Sequence, residues 1–384
     1  VSAQVITHGC RSNLAERDAL AALAPAGATV INSCAVTAEA VRDARAAAVR
    51  AAADGPVFLT GCAATLEPDR FSDVARIIPN LLKLNPLIWG NAPTGSPAHP
   101  AVTRQSRAFV AVQDGCDHAC TFCVTTLVRG PSRSVSPAEV IAHVTALADS
   151  GVSEVVLTGI DTTSYGQHLP GRPLLGDLVQ MILASVPGLP RLRLSSLDAA
   201  EPDDALVEAF ADQRLMPHVH LSLQSGDDLV LKRMKRRHRR ADAVALCDRL
   251  RAARPDIAIG ADFIAGFPTE GEAAHAASHA LIDDCGLVHA HVFPYSPRPG
   301  TPAARMPQVS PAVARARAVE LRTAAAAAQA RFASGFLGRA LDVVSEGGQG
   351  ITPHGLKLRF RHPRPRGVLV QAVAADFGNG IFVE

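Results

Sequence analysis

The chain has 384 residues, a hydrophobic content of 48% and a formal net charge of +2. That length accommodates two or three domains with packed cores, and the near-neutral balance excludes a global demand for a polyanion, so any nucleic-acid surface must be a local patch. Eight cysteines are too sparse for a disulfide scaffold and suit a metal site in a reducing cytosol. No run approaches the ~20 apolar residues that span a bilayer, and the start lacks a basic-then-apolar leader, so a cytoplasmic protein with no membrane partner is expected.

Residues 1–100 alternate short β runs at Ala3–Thr7, Ala28–Ile31 and Val57–Leu59 with helix patterns at Leu14–Leu23 and Thr37–Ala53. This rhythm predicts an open parallel α/β sheet with helices on its faces. Cys10, Cys34 and Cys62 each follow one of these strands. The carboxyl ends of parallel strands share one edge, so the three thiols are expected to converge as ligands of a cluster. Three unrelated core cysteines are the plainer alternative. The Pro-, Gly- and Ser-rich stretch 85–104 reads as a linker.

From Phe109 the units lengthen. Strands are predicted at Phe109–Val112, Glu154–Leu157, Leu192–Leu194, His218–Leu223, Ile257–Ile264 and Leu287–Phe293, and all but the last are followed by a helix. Ser136-Pro137-Ala138-Glu139 is a capping box that opens the first of these helices. Six parallel strands predict a partial (β/α)6 barrel, whose chemistry belongs at the C-terminal mouth. At that mouth lie Thr158-Gly159-Ile160-Asp161, Ser195-Ser196, Ser222-Leu223-Gln224-Ser225-Gly226 and Gly266-Phe267-Pro268. Gly159, Asp161, Ser195, Gln224 and Ser225 are the candidates for cofactor contact, since glycine admits close approach and the others hydrogen-bond.

Seven of the nine residues Lys232–Arg240 are Lys or Arg. A solvated helix face is the usual meaning of a charge run, but like charges at helical spacing repel unless something such as a phosphate backbone compensates them. Arg236, Arg237, Arg239 and Arg240 are therefore candidate nucleic-acid contacts. Residues 313–336 read as a long helix. The tail beyond it shows four short β runs, a plausible small β-barrel, with Lys357 and Arg359 as further candidate contacts. Cys247 and Cys285 lie in apolar helical contexts and are expected in the core. Trp89 and the histidines have no spacing that singles them out.

The organising stretch is Cys116-Asp117-His118-Ala119-Cys120-Thr121-Phe122-Cys123, placed just after the first barrel strand. Three thiolates in one short loop suit a corner of an iron–sulfur cube and leave one iron without a protein ligand. A structural zinc site would close with four ligands, and His118 sits too near its neighbours to be a good fourth.

A C-x3-C-x2-C loop at this place resembles the radical S-adenosylmethionine (SAM) superfamily. Together with Gly9-Cys10-Arg11, Asn32-Ser33-Cys34-Ala35-Val36-Thr37, Thr60-Gly61-Cys62-Ala63, Arg129-Gly130 and Leu221-Ser222-Leu223-Gln224-Ser225-Gly226, it is similar to the methylthiotransferase family. Leu157-Thr158-Gly159-Ile160-Asp161-Thr162-Thr163-Ser164-Tyr165-Gly166 and His291-Val292-Phe293-Pro294-Tyr295-Ser296-Pro297-Arg298-Pro299-Gly300-Thr301 are most similar to the branch acting on N6-threonylcarbamoyladenosine in tRNA. Two features depart from the family pattern: Val124-Thr125-Thr126-Leu127 replaces a Pro-bearing segment, and the tail is shorter than the usual TRAM domain.

The resemblance implies three parts: an N-terminal domain over 1–100, a radical SAM core over 101–334 and a short TRAM-like RNA-binding tail over 335–384. It implies that Cys116, Cys120 and Cys123 hold a [4Fe–4S] cluster whose open iron chelates SAM, and that reduction cleaves SAM to a 5′-deoxyadenosyl radical. Cys10, Cys34 and Cys62 would hold a second [4Fe–4S] cluster that handles sulfur, and a second SAM would supply the methyl group placed with it on C2 of the adenine. The implied partners are the tRNA anticodon stem-loop, a one-electron reductant such as flavodoxin or ferredoxin, and a sulfur donor. The alternatives are action on N6-isopentenyladenosine in tRNA, action on a ribosomal-protein aspartate, or, from another class, a two-cluster electron carrier.

Overall fold

The computed structural model describes residues 3–90, 105–200, 203–376 and 381–383. Most of the expected linker, residues 91–104, therefore lies outside the described residues.

Strands β1 (Gln4–Thr7), β2 (Thr29–Ser33), β3 (Val57–Gly61) and β4 (Arg76–Ile77) form one parallel sheet in that order. Thr7 pairs with Asn32 and Asn32 with Thr60, so the first three strands end level with one another. β3 is buried along its whole length, as a strand covered on both faces must be. Helix Ala38–Ala51 covers one face through Val41, Ala44, Ala47 and Ala48. Thr37 starts it by accepting a 3.1 Å bond from the Ala40 amide. The other face is closed by Leu20, Phe58, Ile78 and Trp89. The helix expected over Leu14–Leu23 is two helices, Arg11–Ala15 and Arg17–Leu23, and the Glu16 carboxylate at their junction is held 2.6 Å from Lys83 Nζ.

The central part opens with β5 (Ala108–Ala111). The short antiparallel pair β6 (Gln113–Asp114) and β7 (Arg133–Ser134) then precedes β8 (Val155–Thr158), β9 (Leu192–Leu194), β10 (Ser196–Leu197), β11 (His218–Gln224), β12 (Ala258–Ala265) and β13 (His289–Pro294). β10 resumes β9 after a break at Ser195, so the parallel orders β5-β8-β9 and β10-β11-β12-β13 make the six-stranded wall of the expected partial barrel. Its outer face and the surrounding helices share one large core, which includes Val110, Leu157, Leu194, Leu221, Phe263, Cys247 and Cys285. The capping box at Ser136 and Glu139 forms as expected. Helix Pro311–Ser334 leads to β14 (Ala340–Ser345), β15 (Gln349–Ile351), β16 (Lys357–Phe360), β17 (Leu369–Asp376) and β18 (Ile381–Val383), which close a small barrel.

That small barrel is fixed to the wall by a buried ion cluster. Glu154 lies 2.6 Å from Arg191 and 2.7 Å from Arg193. The two arginines in turn donate to the carbonyls of Asp342, Ile351, Thr352 and Pro353. Burial alone would raise the Glu154 carboxyl, but Arg193, Arg191 and Arg107 outweigh it and hold it at about 2. Among the described residues no helix is long and apolar enough to cross a membrane.

Candidate active site

The C-x3-C-x2-C loop is closed at its neck by the β6–β7 pair and by the Cys116 amide, which donates to Gly130 O over 3.1 Å. Gly115 at this neck has φ +73°, and a Cβ there would run into the Pro131 carbonyl. Each sulfur of the loop accepts a donor. The His118 amide reaches Cys116 Sγ at 3.4 Å, Arg236 Nη1 reaches Cys120 Sγ at 3.6 Å, and the Thr125 amide reaches Cys123 Sγ at 3.4 Å. Burial pushes the Cys116 thiol up to about 12 and also raises Cys120, so a bound cation is what would turn these thiols into ligands. His118 Nε2 lies 2.6 Å from Asp161 Oδ2, and both groups stand near Cys116 Sγ. Three soft donors fit an iron–sulfur cluster with one open iron, while the His118 imidazole is engaged by the Asp161 carboxylate.

The second trio is assembled by the N-terminal sheet. Cys10 caps helix Arg11–Ala15, Cys34 follows β2 and Cys62 opens helix Cys62–Leu66. Gly9, at φ +86°, lies so close to Cys34 that a Cβ would stand 2.6 Å from its Sγ. Buried bonds tie the strand ends together: Asn13 Nδ2 donates to Ser33 O at 3.2 Å, and Ser33 Oγ to Thr60 O at 2.5 Å. The thiols are near enough to influence one another. Burial is the main force that lifts Cys34 to about 11, and Cys10 and Cys62 add to it.

Arg129 links the neck of the cysteine loop, through Asp114, to the second trio. It ends the short helix that follows Cys123, is fully buried, and lies 2.7 Å from Asp114 Oδ1 and 3.6 Å from Glu16 Oε1. Its Nη2 donates to Asn13 Oδ1 at 2.6 Å, and its charge acts on both Cys62 and Cys10. The Arg129-Gly130 dipeptide was visible in the sequence, but this bridging position was not. Gln113 was missed altogether. Its buried Oε1 accepts from the Ile160 and Asp161 amides, while its Nε2 donates to Gly115 O, so it joins the cysteine-loop neck to the β8 loop.

The expected cofactor contacts differ in standing. Gly159 is packed against Gln113, where a Cβ would meet Gln113 O at 2.9 Å. Ser195 is buried with its Oγ unpartnered, as a ligand-facing hydroxyl would be. Gln224 ends β11 at φ +71°. Asp161 is engaged by His118 and by Ser164 Oγ at 2.6 Å. Ser225 Oγ lies 3.3 Å from Ser278 Oγ and accepts from the Asp227 amide, which fixes the turn after β11.

The basic run also divides. Lys235 at φ +57° ends helix Asp228–Met234, so the run is not one helical face. Arg236 is not a surface cation. Its buried guanidinium lies 2.8 Å from Asp198 and reaches the cysteine loop. Arg240 pairs with Asp284 and donates to Gly226 O and Ala277 O. Arg237 and Arg239 are exposed, as are Lys357 and Arg359 on the outward face of β16.

Residues 110–280 match the sequence model of the Radical SAM superfamily. The chain is 43% identical, over 83% of its length and 82% of the relative's, to "Threonylcarbamoyladenosine tRNA methylthiotransferase MtaB" of Rickettsia prowazekii (strain Madrid E). Among solved structures it resembles the radical S-adenosylmethionine methyltransferase TsrM of Kitasatospora setae with cobalamin and a [4Fe-4S] cluster bound. The TM-score is 0.54 at 14% identity, covering 77% of this chain and 68% of that one. The same enzyme with tryptophan and a SAM analogue gives a TM-score of 0.53 at 14% identity, over 76% of this chain and 68% of that one. That likeness shows the fold, and the identity to the curated relative shows that the chain belongs to the radical SAM methylthiotransferase family.

Proposed function

We propose that the chain methylthiolates C2 of N6-threonylcarbamoyladenosine beside the anticodon of tRNA, using two [4Fe–4S] clusters and two SAM molecules. The observation that carries this reading is the pair of three-cysteine sites joined through Arg129. A single-cluster SAM enzyme has no use for the second site, and an electron carrier has no use for the buried free hydroxyl of Ser195 at a barrel mouth.

Cys116, Cys120 and Cys123 hold the first cluster, and Cys10, Cys34 and Cys62 hold the second. When bound, these groups supply the electron that cleaves SAM and the sulfur that is transferred. The chain's own residues bind and orient. Ser195 Oγ and Gln224, with the backbone at Gly159, line the SAM side of the mouth. Arg236 sets the charge beside Cys120. Arg237, Arg239, Lys357 and Arg359 contact the tRNA backbone. The base leaves the anticodon-loop stack to reach the mouth. The segments 1–100, 101–334 and 335–384 act as auxiliary-cluster domain, radical core and RNA-binding tail. A flavodoxin or ferredoxin and a sulfur donor complete the set in the cytoplasm.

The test has two arms. Anaerobically reconstituted protein is expected to hold about eight irons, falling to about four in the Cys116/Cys120/Cys123 triple-Ala variant. Nucleoside analysis of tRNA from a strain lacking the gene is expected to show loss of the methylthio form of threonylcarbamoyladenosine alone. Four irons falling to none, or loss of the isopentenyl product instead, would overturn the reading.

A further inference from the structure

The inner face of the barrel wall carries a polar cluster that neither cysteine trio uses. In β11, β12 and β13 the residues on one face (Val219, Leu221, Ala261, Phe263 and Val292) pack into the helix-side core. Their alternates face the interior. His220 is level with Gly260, Gly260 with His289, and Asp262 with His291. His220 Nε2 lies 2.9 Å from Asp262 Oδ1, and His291 Nδ1 lies 3.2 Å from the same oxygen. The rings of His289 and His291 are 4.6 Å apart. Gly260 makes the room for this, since a Cβ there would stand 2.8 Å from His220 Nδ1.

The N-terminal sheet adds one more group. Arg11, next in the chain to Cys10, has a buried and unpartnered Nη1; it lies in the field of Arg107, Arg193 and Glu154, and its charge also acts on Asp262, His218 and His289. His218 Nδ1 is likewise buried without a partner. A guanidinium with an unpartnered nitrogen, one carboxylate and several imidazoles leave donors and acceptors unpaired against an apolar guest, and each one counts against binding it. Sites built to hydrogen-bond a substituent reject analogues that lack the matching groups.

We propose that this cluster is the recognition subsite for the N6 substituent of the base, and that it selects a carboxylate-bearing, hydroxylated substituent over an alkenyl one. Arg11 Nη1 pairs with the substituent carboxylate. Asp262, held between His220 and His291, accepts from the substituent's hydroxyl or N–H, and the imidazole nitrogens turned from Asp262 complete the set. The subsite draws on the first half of β11, on the middle of β12 and on β13, with Arg11 supplied by the helix that Cys10 caps. The inference rests on the proposed function and specifies its substrate selection.

The experiment compares methylthiolation, by the reconstituted full chain, of anticodon stem-loops that differ only at N6. The substituents are the threonylcarbamoyl acid, its methyl ester, the analogue lacking the hydroxyl, and isopentenyl. The readout is the ratio of kcat/KM between two stem-loops in one preparation, which is independent of the active fraction. The native chain is expected to prefer acid over ester by roughly tenfold or more. Arg11→Gln brings that ratio near one. His291→Gln, at a half-exposed position, shrinks the preference for the hydroxyl. Unchanged ratios in both variants would overturn the subsite while leaving the activity standing. So would stoichiometric zinc or another divalent metal that is lost in His291→Gln, because the three side chains would then be metal ligands. A native chain that acts on the isopentenyl stem-loop and ignores the acid would instead overturn the proposed function itself.

Discussion

The two cysteine trios offer the same three donors but are built by opposite means. Cys116, Cys120 and Cys123 belong to one loop pinched shut by β6 and β7, so their spacing along the chain already sets their spacing in space. Cys10, Cys34 and Cys62 are separated by whole strand–helix units and meet only because three parallel strands end in register. A local loop can keep its geometry when distant packing is disturbed. A site made by register depends on the whole sheet, down to the Ser33 and Asn13 bonds that tie the strand ends.

Replacing the trios one at a time is the strongest way to break this comparison. Ala at any of Cys116, Cys120 or Cys123 is expected to reduce SAM cleavage to background, read as 5′-deoxyadenosine. Ala at Cys10, Cys34 or Cys62 should leave cleavage running without methylthiolated product. Normal product from the second set would remove the auxiliary site from the chemistry.

Arg129 tests how far the trios are separate. Arg129→Met removes the buried partner that Asp114 and Asn13 share, while Glu16 keeps Lys83 and Asp114 keeps Arg133, and it is expected to cost about 1–3 kcal/mol in denaturant unfolding. It should lower iron loading at both trios, whereas a change within one trio lowers only its own.

Away from both sites, Glu154 gives an acid limb. Its folded carboxyl is held at about 2, below its ordinary 4.5, so its contribution is fully present above about pH 4.5 and is lost as pH falls toward 2. Glu154→Gln should flatten that limb of stability against pH, by on the order of 3 kcal/mol. The smallest effect is expected at the surface. Neutralising Arg237, Arg239, Lys357 and Arg359 together should weaken tRNA binding and make its salt slope shallower, by roughly 0.7–0.9 for each phosphate that the protein no longer neutralises.

The sequence made the barrel strands, the capping box at Ser136 and both trios legible, because spacing and strand–loop rhythm are local properties. It did not reveal Gln113 or the bridging position of Arg129, whose partners Asp161 and Asn13 lie far along the chain. Arg236 looked like a surface cation for the same reason: Asp198 and Cys120, which bury and occupy it, are distant in sequence. His220, Asp262 and His291 looked like ordinary polar alternates within three strands. Only the register of β11, β12 and β13 brings them together.

The ion cluster at Glu154 has a mechanical consequence. Arg191 and Arg193 hold four carbonyls of the small C-terminal barrel while gripping a carboxylate on the wall, so this module is bolted to the barrel floor rather than tethered to it. The span from Lys357 and Arg359 to the mouth is then a fixed length. On the proposed reading, the enzyme works as a caliper: an RNA is accepted when its backbone and its modified base are the right distance apart, and no swivelling of the tail compensates for one that is too short.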